Sequence, residues 1–382
     1  MISARITVRV AMLLLFASPI LSAQDHVKIK YDNSSVFAGI EVGSKGVKLS
    51  VVDVDKQSKA GNSFTILKDT SINTDFISFS NATSTATLNG LFDLYTVATR
   101  DLKIPSKRIF TVVSSGVKMQ ADKEEKKKLI EELVESFREK IKDPERVVEV
   151  VDVIQEARLS HLGIVPETKR YTTFLIDIGS GNTKGGYFPN GNTRDFKLFQ
   201  INWGTKSTAN AIEKRCEETD KTLTNFHKQM YRVLTGAENS EIIYAVNSSG
   251  AYPLSDNIAF SGGIAWAAAT LVHPEQMNRS VITVTFDEIL KFSEQLYSNY
   301  ASLSADELTK NLGETKLDKS AVAKEIKRVH GVFDQRSLLA GTGLLIKIMR
   351  QFASIYETKE FYLVKNGQVG WISAYVDQST AK

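Results

Sequence analysis

Apolar residues 36–38 and 49–54 flank a polar, glycine-bearing stretch, and residues 173–175 and 185–188 flank another. Apolar run, tight polar turn and apolar run is the pattern of a β-hairpin. Between the two hairpins, residues 107–113 and 148–153 read as strands. Leu129, Ile130, Leu133, Val134, Phe137 and Ile141 recur at helical spacing after Asp122, a candidate cap, so one face of that helix packs on a sheet. Residues 154–159 start another helix, and 166–169 read as a linker. In the second half, 241–246 and 257–260 read as strands, 264–272 as an apolar helix, and 336–352 as a helix with Gly341-Thr342-Gly343 near its start. Residues 361–365, a turn at Asn366-Gly367 and residues 369–375 read as a closing hairpin. Strands and helices alternate in both halves, which is an α/β pattern.

The two hairpins repeat each other. Ile40-Glu41-Val42-Gly43-Ser44-Lys45-Gly46-Val47-Lys48 lies over Ile176-Asp177-Ile178-Gly179-Ser180-Gly181-Asn182-Thr183-Lys184 without a gap. Each copy opens one half of the chain, so the repeat predicts duplicated domains. The expected boundaries are 36–165 and 166–382, with the last segment able to return to the first domain. Gly43 and Gly179 have no side chain and can adopt positive φ, so a ligand can approach the backbone closely. Successive N–H groups in such a turn make a small anion-binding concavity, to which a neighbouring hydroxyl adds a donor. The acid before each turn, Glu41 or Asp177, sits at a strand end where it can hold a divalent cation. Ser261-Gly262-Gly263, running into the 264–272 helix, is a further candidate anion seat.

The remaining features place the chain and narrow its partners. Arg5 and Arg9, the apolar stretch 11–20, and Leu21-Ser22-Ala23 before Gln24-Asp25 have the order of a secretory signal peptide cleaved after Ala23. Residues 24–35 then form a linker, and a periplasmic or secreted location follows. The apolar stretch is short and broken by Pro19, so no stable membrane span is expected after cleavage. The 382 residues, 42% of them hydrophobic, suffice for two ordinary cores. A formal net charge of +4, without a dense basic block, argues against a nucleic-acid partner. Cys216 is the single cysteine and lies in a charged stretch that reads as helix, so neither an internal disulfide nor a thiolate metal cluster is expected.

In order and spacing these segments resemble the exopolyphosphatase and guanosine pentaphosphate phosphohydrolase (Ppx/GppA) family of the actin-like ATPase superfamily, from about Phe37 to Val376. The run from Val148 to Leu159 is similar to that family's strand and Glu-Ala-Arg helix, here Glu156-Ala157-Arg158. Residues 176–183 resemble its second phosphate loop, and Ser114-Ser115-Gly116-Val117-Lys118 stands where the family has Thr-Ser-Ala-x-Arg. The resemblance implies two actin-like, ribonuclease H-like domains with a cleft between them. It implies Glu156 as the base that deprotonates an attacking water. Gly43, Ser44 and Lys45, with Gly179, Ser180, Gly181, Asn182 and Thr183, would clamp phosphoryl groups. Asp177 and Glu41 would position Mg²⁺ or Mn²⁺, and Lys118 would neutralise phosphate charge. The implied activity is release of terminal phosphate from polyphosphate or a related small phosphorylated anion.

Three departures bear on that activity. The first loop has Glu41 and Lys45 where the family has Asp and Asn, the second ends in Lys184 instead of Glu, and Lys118 replaces Arg. An ammonium at a metal-facing position weakens cation binding and favours direct binding of a polyanion, and Lys cannot grip phosphate bidentately. A catalytically weak phosphate- or polyphosphate-binding protein of the same fold is therefore the alternative, with an ecto-nucleotidase as a second. Whether the chain pairs as a homodimer stays open.

Overall fold

The computed structural model describes residues 35–44, 46–54, 64–310, 312–313, 318–353 and 358–380. The expected signal peptide, nearly all of the linker after it, and Lys45 lie outside the described residues. The first sheet contains β1 (Val36–Val42), β2 (Gly46–Val54), β3 (Phe64–Asn73), β4 (Ile109–Val113) and β5 (Glu149–Val150), in the order β3-β2-β1-β4-β5. β1 is antiparallel to β2 and parallel to β4. Its sequence is almost unbroken apolar because both faces are covered. On one face α1 (Asn81–Thr96) and α3 (Lys127–Ile141) bury Leu91, Ile130, Leu133 and Phe137 with Ile40 and Leu49. On the other, Phe37, Val52 and Val112 pack against Leu159 of α4 (Val153–Ile164) and Trp371, Ile372 and Val376 of α13 (Gly370–Thr380). Between them lies the short α2 (Ser115–Lys123).

The second sheet has β6 (Thr173–Ile178), β7 (Thr183–Tyr187), β8 (Lys197–Ile201), β9 (Asn257–Gly262), β10 (Val281–Val284) and β11 (Glu360–Val364). Its order is β10-β11-β9-β6-β7-β8. Read from the other edge, β8-β7-β6-β9-β11 repeats β3-β2-β1-β4-β5 in order and in sense, since β6 is antiparallel to β7 and parallel to β9. The repeat seen in the hairpins is thus a repeat of whole sheets. The larger core lies between this sheet and α5 (Thr205–Glu213), α6 (Leu223–Ala237), α7 (Ile243–Ser249), α8 (Gly263–Val272), α9 (Phe286–Ser298), α10 (Ala305–Lys310), α11 (Lys319–Val332) and α12 (Gln335–Arg350). Phe174, Phe199, Phe260 and Phe352 are fully enclosed there, each worth roughly 1.5–3 kcal/mol of transfer free energy.

α4 joins the two halves. Its Leu159 faces the first sheet, while Ile164 joins Leu175, Ala259 and Val364 of the second. It crosses α13 at Gly163 and Gly370, where a Cβ on Gly163 would lie 1.7 Å from the Gly370 carbonyl oxygen. Only hydrogen at that position lets the backbones touch. Among the described residues no helix is long and apolar enough to cross a membrane.

Several local expectations are corrected. Residues 241–246 are helical, not a strand: the chain continues from α6 through a π turn (Glu238–Ile242) into α7. Ile242 and Val246 are buried while Ile243 and Tyr244 are exposed, the spacing of a helix face. Residues 369–375 belong to a short 3-10 turn and α13, not to a returning strand; packing on all sides hides the helical period. Of 148–153 only Glu149–Val150 pairs as strand, because Asp152 already caps α4. Asp122 lies in the last turn of α2 and does not cap α3, which begins after Lys126. Gly341 falls mid-helix in α12, and Cys216 is a buried residue just beyond α5.

Candidate active site

The two glycine turns close in the same way. Gly43 N–H donates to the Gly46 carbonyl (2.9 Å), and Gly179 N–H to that of Asn182 (3.0 Å). Neither Gly43 nor Gly179 has positive φ. Their use is the missing side chain, not the left-handed backbone expected of them. The second turn is held by the N-terminus of α5, where Thr205 N–H donates to Gly179 O (2.9 Å) and Lys206 N–H to Ser180 O (2.8 Å). The positive end of that helix therefore serves the turn carbonyls. Ser180 and Gly181 remain exposed at the tip, and Asn182 is half-buried. Thr183 turns away: it is buried, and its hydroxyl donates to the Trp203 carbonyl (2.6 Å). In the first turn Ser44 lies beside Gly116, its Oγ 3.3 Å from where a Cβ there would stand.

Between the turns sits a cluster of three carboxylates and one ammonium. Asp152 caps α4 with Gln155 in a reciprocal capping box, which fixes the first turn that carries Glu156. Glu156 Oε2 accepts the Ser115 N–H at the start of α2 (2.9 Å), and Oε1 accepts from Lys184 Nζ. Lys184 also reaches Ser115 Oγ (3.4 Å). Asp177 stands directly opposite Lys184 across the β6–β7 ladder, and Ser261 Oγ donates to its Oδ1 (2.8 Å). Glu41, Glu156 and Asp177 line a cavity of about 140 Å³ together with Ser114, Ser160 and Trp371, room for a few ordered waters.

The charges in this cluster hold one another. Burial opposes ionisation of Glu156, but Lys184 and the Ser115 hydrogen bonds outweigh it, and its carboxyl stays below the ordinary range. Burial lowers the affinity of Lys184 for its proton, yet Glu156 and Asp177 more than restore it, so the ammonium is firmly charged. Burial, with Glu156 as an unfavourable neighbour, pushes Glu41 up to about 7. Asp177 is also raised, chiefly by burial.

This donor set does not fit the expected Mg²⁺ or Mn²⁺. Among the described residues no three His, Cys, Asp or Glu side chains converge on a metal position. Lys184 already engages a lone pair of Glu156 and sets a positive charge among the acids a cation needs.

Of the residues singled out in the sequence, Glu156, Asp177 and Glu41 line the cavity, Ser261 bonds to Asp177, and the two turns follow Glu41 and Asp177 along the chain. Gly262, at φ 93°, and Gly263 carry the chain from β9 into α8. Lys118 does not join the cluster: it is half-exposed and paired with Asp122 (2.8 Å). Ser115 was assigned no role, and Lys184 only that of weakening cation binding in favour of a polyanion, not that of a partner for Glu156. Ser115 acts through its backbone, which no side-chain motif announces. Lys184 stood in the motif only as a departure; the strand register that sets it opposite Asp177 was the available signal.

No protein-family profile and no curated protein matches this chain. Among solved structures, the Ppx/GppA family member of Aquifex aeolicus superposes with a TM-score of 0.59 at 15% identity, over 90% of this chain and 98% of the other. The type II variant of the A. aeolicus Ppx/GppA phosphatase gives 0.58 at 16% identity, over 88% and 98%. An exopolyphosphatase from Cytophaga hutchinsonii gives 0.51 at 13% identity, over 89% and 98%. The chain therefore has the fold of these Ppx/GppA structures along most of its length.

Proposed function

We propose that a chain with this fold hydrolyses phosphoanhydride bonds, releasing terminal phosphate from polyphosphate or a related small phosphorylated anion, with Glu156 as general base. The observation that carries this reading is the setting of Glu156: an ionised carboxylate, held by Ser115 N–H, at a cavity it lines with Glu41 and Asp177, the acids that precede the two glycine turns. Each Glu156 oxygen keeps a second lone pair beyond its present hydrogen bond, so a water can be oriented there. As the water oxygen bonds to phosphorus and the bond to the leaving phosphate breaks, its proton passes to Glu156. The terminal phosphoryl group seats against Ser44, Ser180 and Gly181, and hydrolytic phosphoryl transfer asks mostly for such positioning and charge. The leader pattern supports a periplasmic or secreted site of action.

A second reading, a protein that binds the polyanion without turning it over, is favoured by the Lys184–Glu156 pair, because a carboxylate stabilised as the anion is a weaker base. The deciding experiment is phosphate release from long-chain polyphosphate, with and without Mg²⁺, beside Glu156→Gln. The hydrolase reading expects release to drop roughly 10²–10⁴-fold in the variant. Unchanged release would remove Glu156 from the mechanism. Binding without release in both proteins would establish the second reading.

A further inference from the structure

Both acids at the glycine turns face a lysine. On the first hairpin Glu41 is paired across the ladder with Lys48, and on the second Asp177 with Lys184, at equivalent places in the repeat. Residues directly opposite in an antiparallel pair project to the same side of the sheet, so each acid at a turn carries its own cation beside it. The two lysines differ in reach. Lys48 is drawn aside to Asp69 (3.2 Å). Lys184, with its side chain 12% exposed, pairs instead with Glu156, itself 21% exposed and part of the cavity lining. Its ammonium also lies within reach of Ser115 Oγ (3.4 Å), and Asp177 and Glu41 both act on it electrostatically.

We infer that Lys184 is a built-in cation standing where a divalent metal ion would otherwise bridge the carboxylates and the phosphate chain, so that the site grips its anion without a metal. An octahedral ion with oxygen ligands at about 2.0–2.1 Å needs the same carboxylate lone pairs that Lys184 holds. Two cations cannot share them at such range without strong repulsion. Unlike a metal ion, the ammonium is tethered by its own strand and needs no loading. It also neutralises the acids that would otherwise repel a polyanion at the cavity mouth. That the anion is a phosphate chain rests on the proposed function; that the lysine excludes a metal does not.

The test uses the full protein with Mn²⁺ as the probe, followed by loss of its free-ion paramagnetic resonance signal, for the natural chain, Lys184→Glu and Lys184→Met. Polyphosphate binding is measured in parallel with and without a chelator. The natural chain is expected to leave Mn²⁺ free into the millimolar range and to bind polyphosphate equally well in chelator. Lys184→Glu is expected to bind Mn²⁺ roughly tenfold more tightly or better, and Lys184→Met to hold polyphosphate only when a divalent ion is supplied. Uptake of Mn²⁺ by the natural chain as tight as by Lys184→Glu overturns the inference, as does loss of its polyphosphate binding in chelator. If Lys184→Glu fails to fold, judged by circular dichroism, the natural chain and Lys184→Met still decide. If polyphosphate binds to none of the three, the proposed function falls, and the Mn²⁺ titration of the natural chain alone rules on the lysine.

Discussion

Lys184 and Glu156 owe their charges to each other, and neighbouring residues keep them in place. Ser261 and Gly262 form the floor beside Asp177. Gly262 has φ 93°, and a Cβ there would stand 2.2 Å from the Ile178 carbonyl oxygen and 3.1 Å from Asp177 Oδ1. Gly262→Ala is expected to cost roughly 2–3 kcal/mol, read as a lowered urea midpoint, and to weaken polyphosphate binding because β9 must move away from β6. At this scale the acids were legible on two grounds: Glu41 and Asp177 from the repeated hairpin motif, and Glu156 from the resemblance to the Glu-Ala-Arg helix, since its position alone marks only a helix start. Ser115 was not, because part of its contribution is a main-chain N–H that any residue could supply, and its hydroxyl matters only once the fold brings Lys184 and Glu156 to it. Thr183 was misplaced for a related reason, since its pattern does not tell which face of β7 it takes.

α4 carries Glu156, the proposed base, at one end and an anchor near the other. His161, fully buried, meets the Thr173 carbonyl through Nε2 (2.9 Å) at the start of β6, the strand that carries Asp177. Burial, first among the causes, depresses its pKa from 6.5 to about 4, so it sits neutral in the folded protein. A base whose folded pKa lies below its unfolded value contributes stability that is present above about 6.5 and lost as pH falls toward 4. The natural chain should therefore lose up to about 3 kcal/mol across that window from this group, and His161→Gln should show a flatter acid limb in urea unfolding measured at stepped pH. Equal slopes for the two proteins would exclude His161 as the source. Among elements, both glycine-turn hairpins and the helix after Ser261-Gly262-Gly263 were readable, whereas the Asn366-Gly367 turn signal led into a helix and Asp122 caps nothing. The two wrong assignments, 241–246 and 369–375, are short apolar runs, for which periodicity alone does not separate a buried helix from a strand.

In the whole molecule, two similar sheets are joined where α4 crosses α13. The crossing depends on bare backbone, and Gly163→Ala would thrust a methyl group into the Gly370 carbonyl. The expected cost is roughly 3 kcal/mol, seen as a lower urea midpoint. Polyphosphate binding should fall with it, because the residues of the cavity come from both sides of that seam. A variant as stable and as tight as the natural chain would show that the two halves do not depend on this contact. The duplication itself was visible as nine aligned residues, and it extends to the strand order of both sheets. That the last segment can return to the first half was among the expectations, but its form was not: residues 370–376 return as a helix where a strand was expected.

That return has a consequence for how the protein is made. The ribosome delivers β1 and β4 early, yet Phe37, Val52 and Val112 have only Leu159 and Leu162 of α4 to cover their face until Trp371, Ile372 and Val376 emerge. The first half cannot complete its fold during synthesis of the second. Through most of its production the nascent chain carries one incompletely covered sheet face, and the order of translation makes its amino-terminal half the last to be sealed.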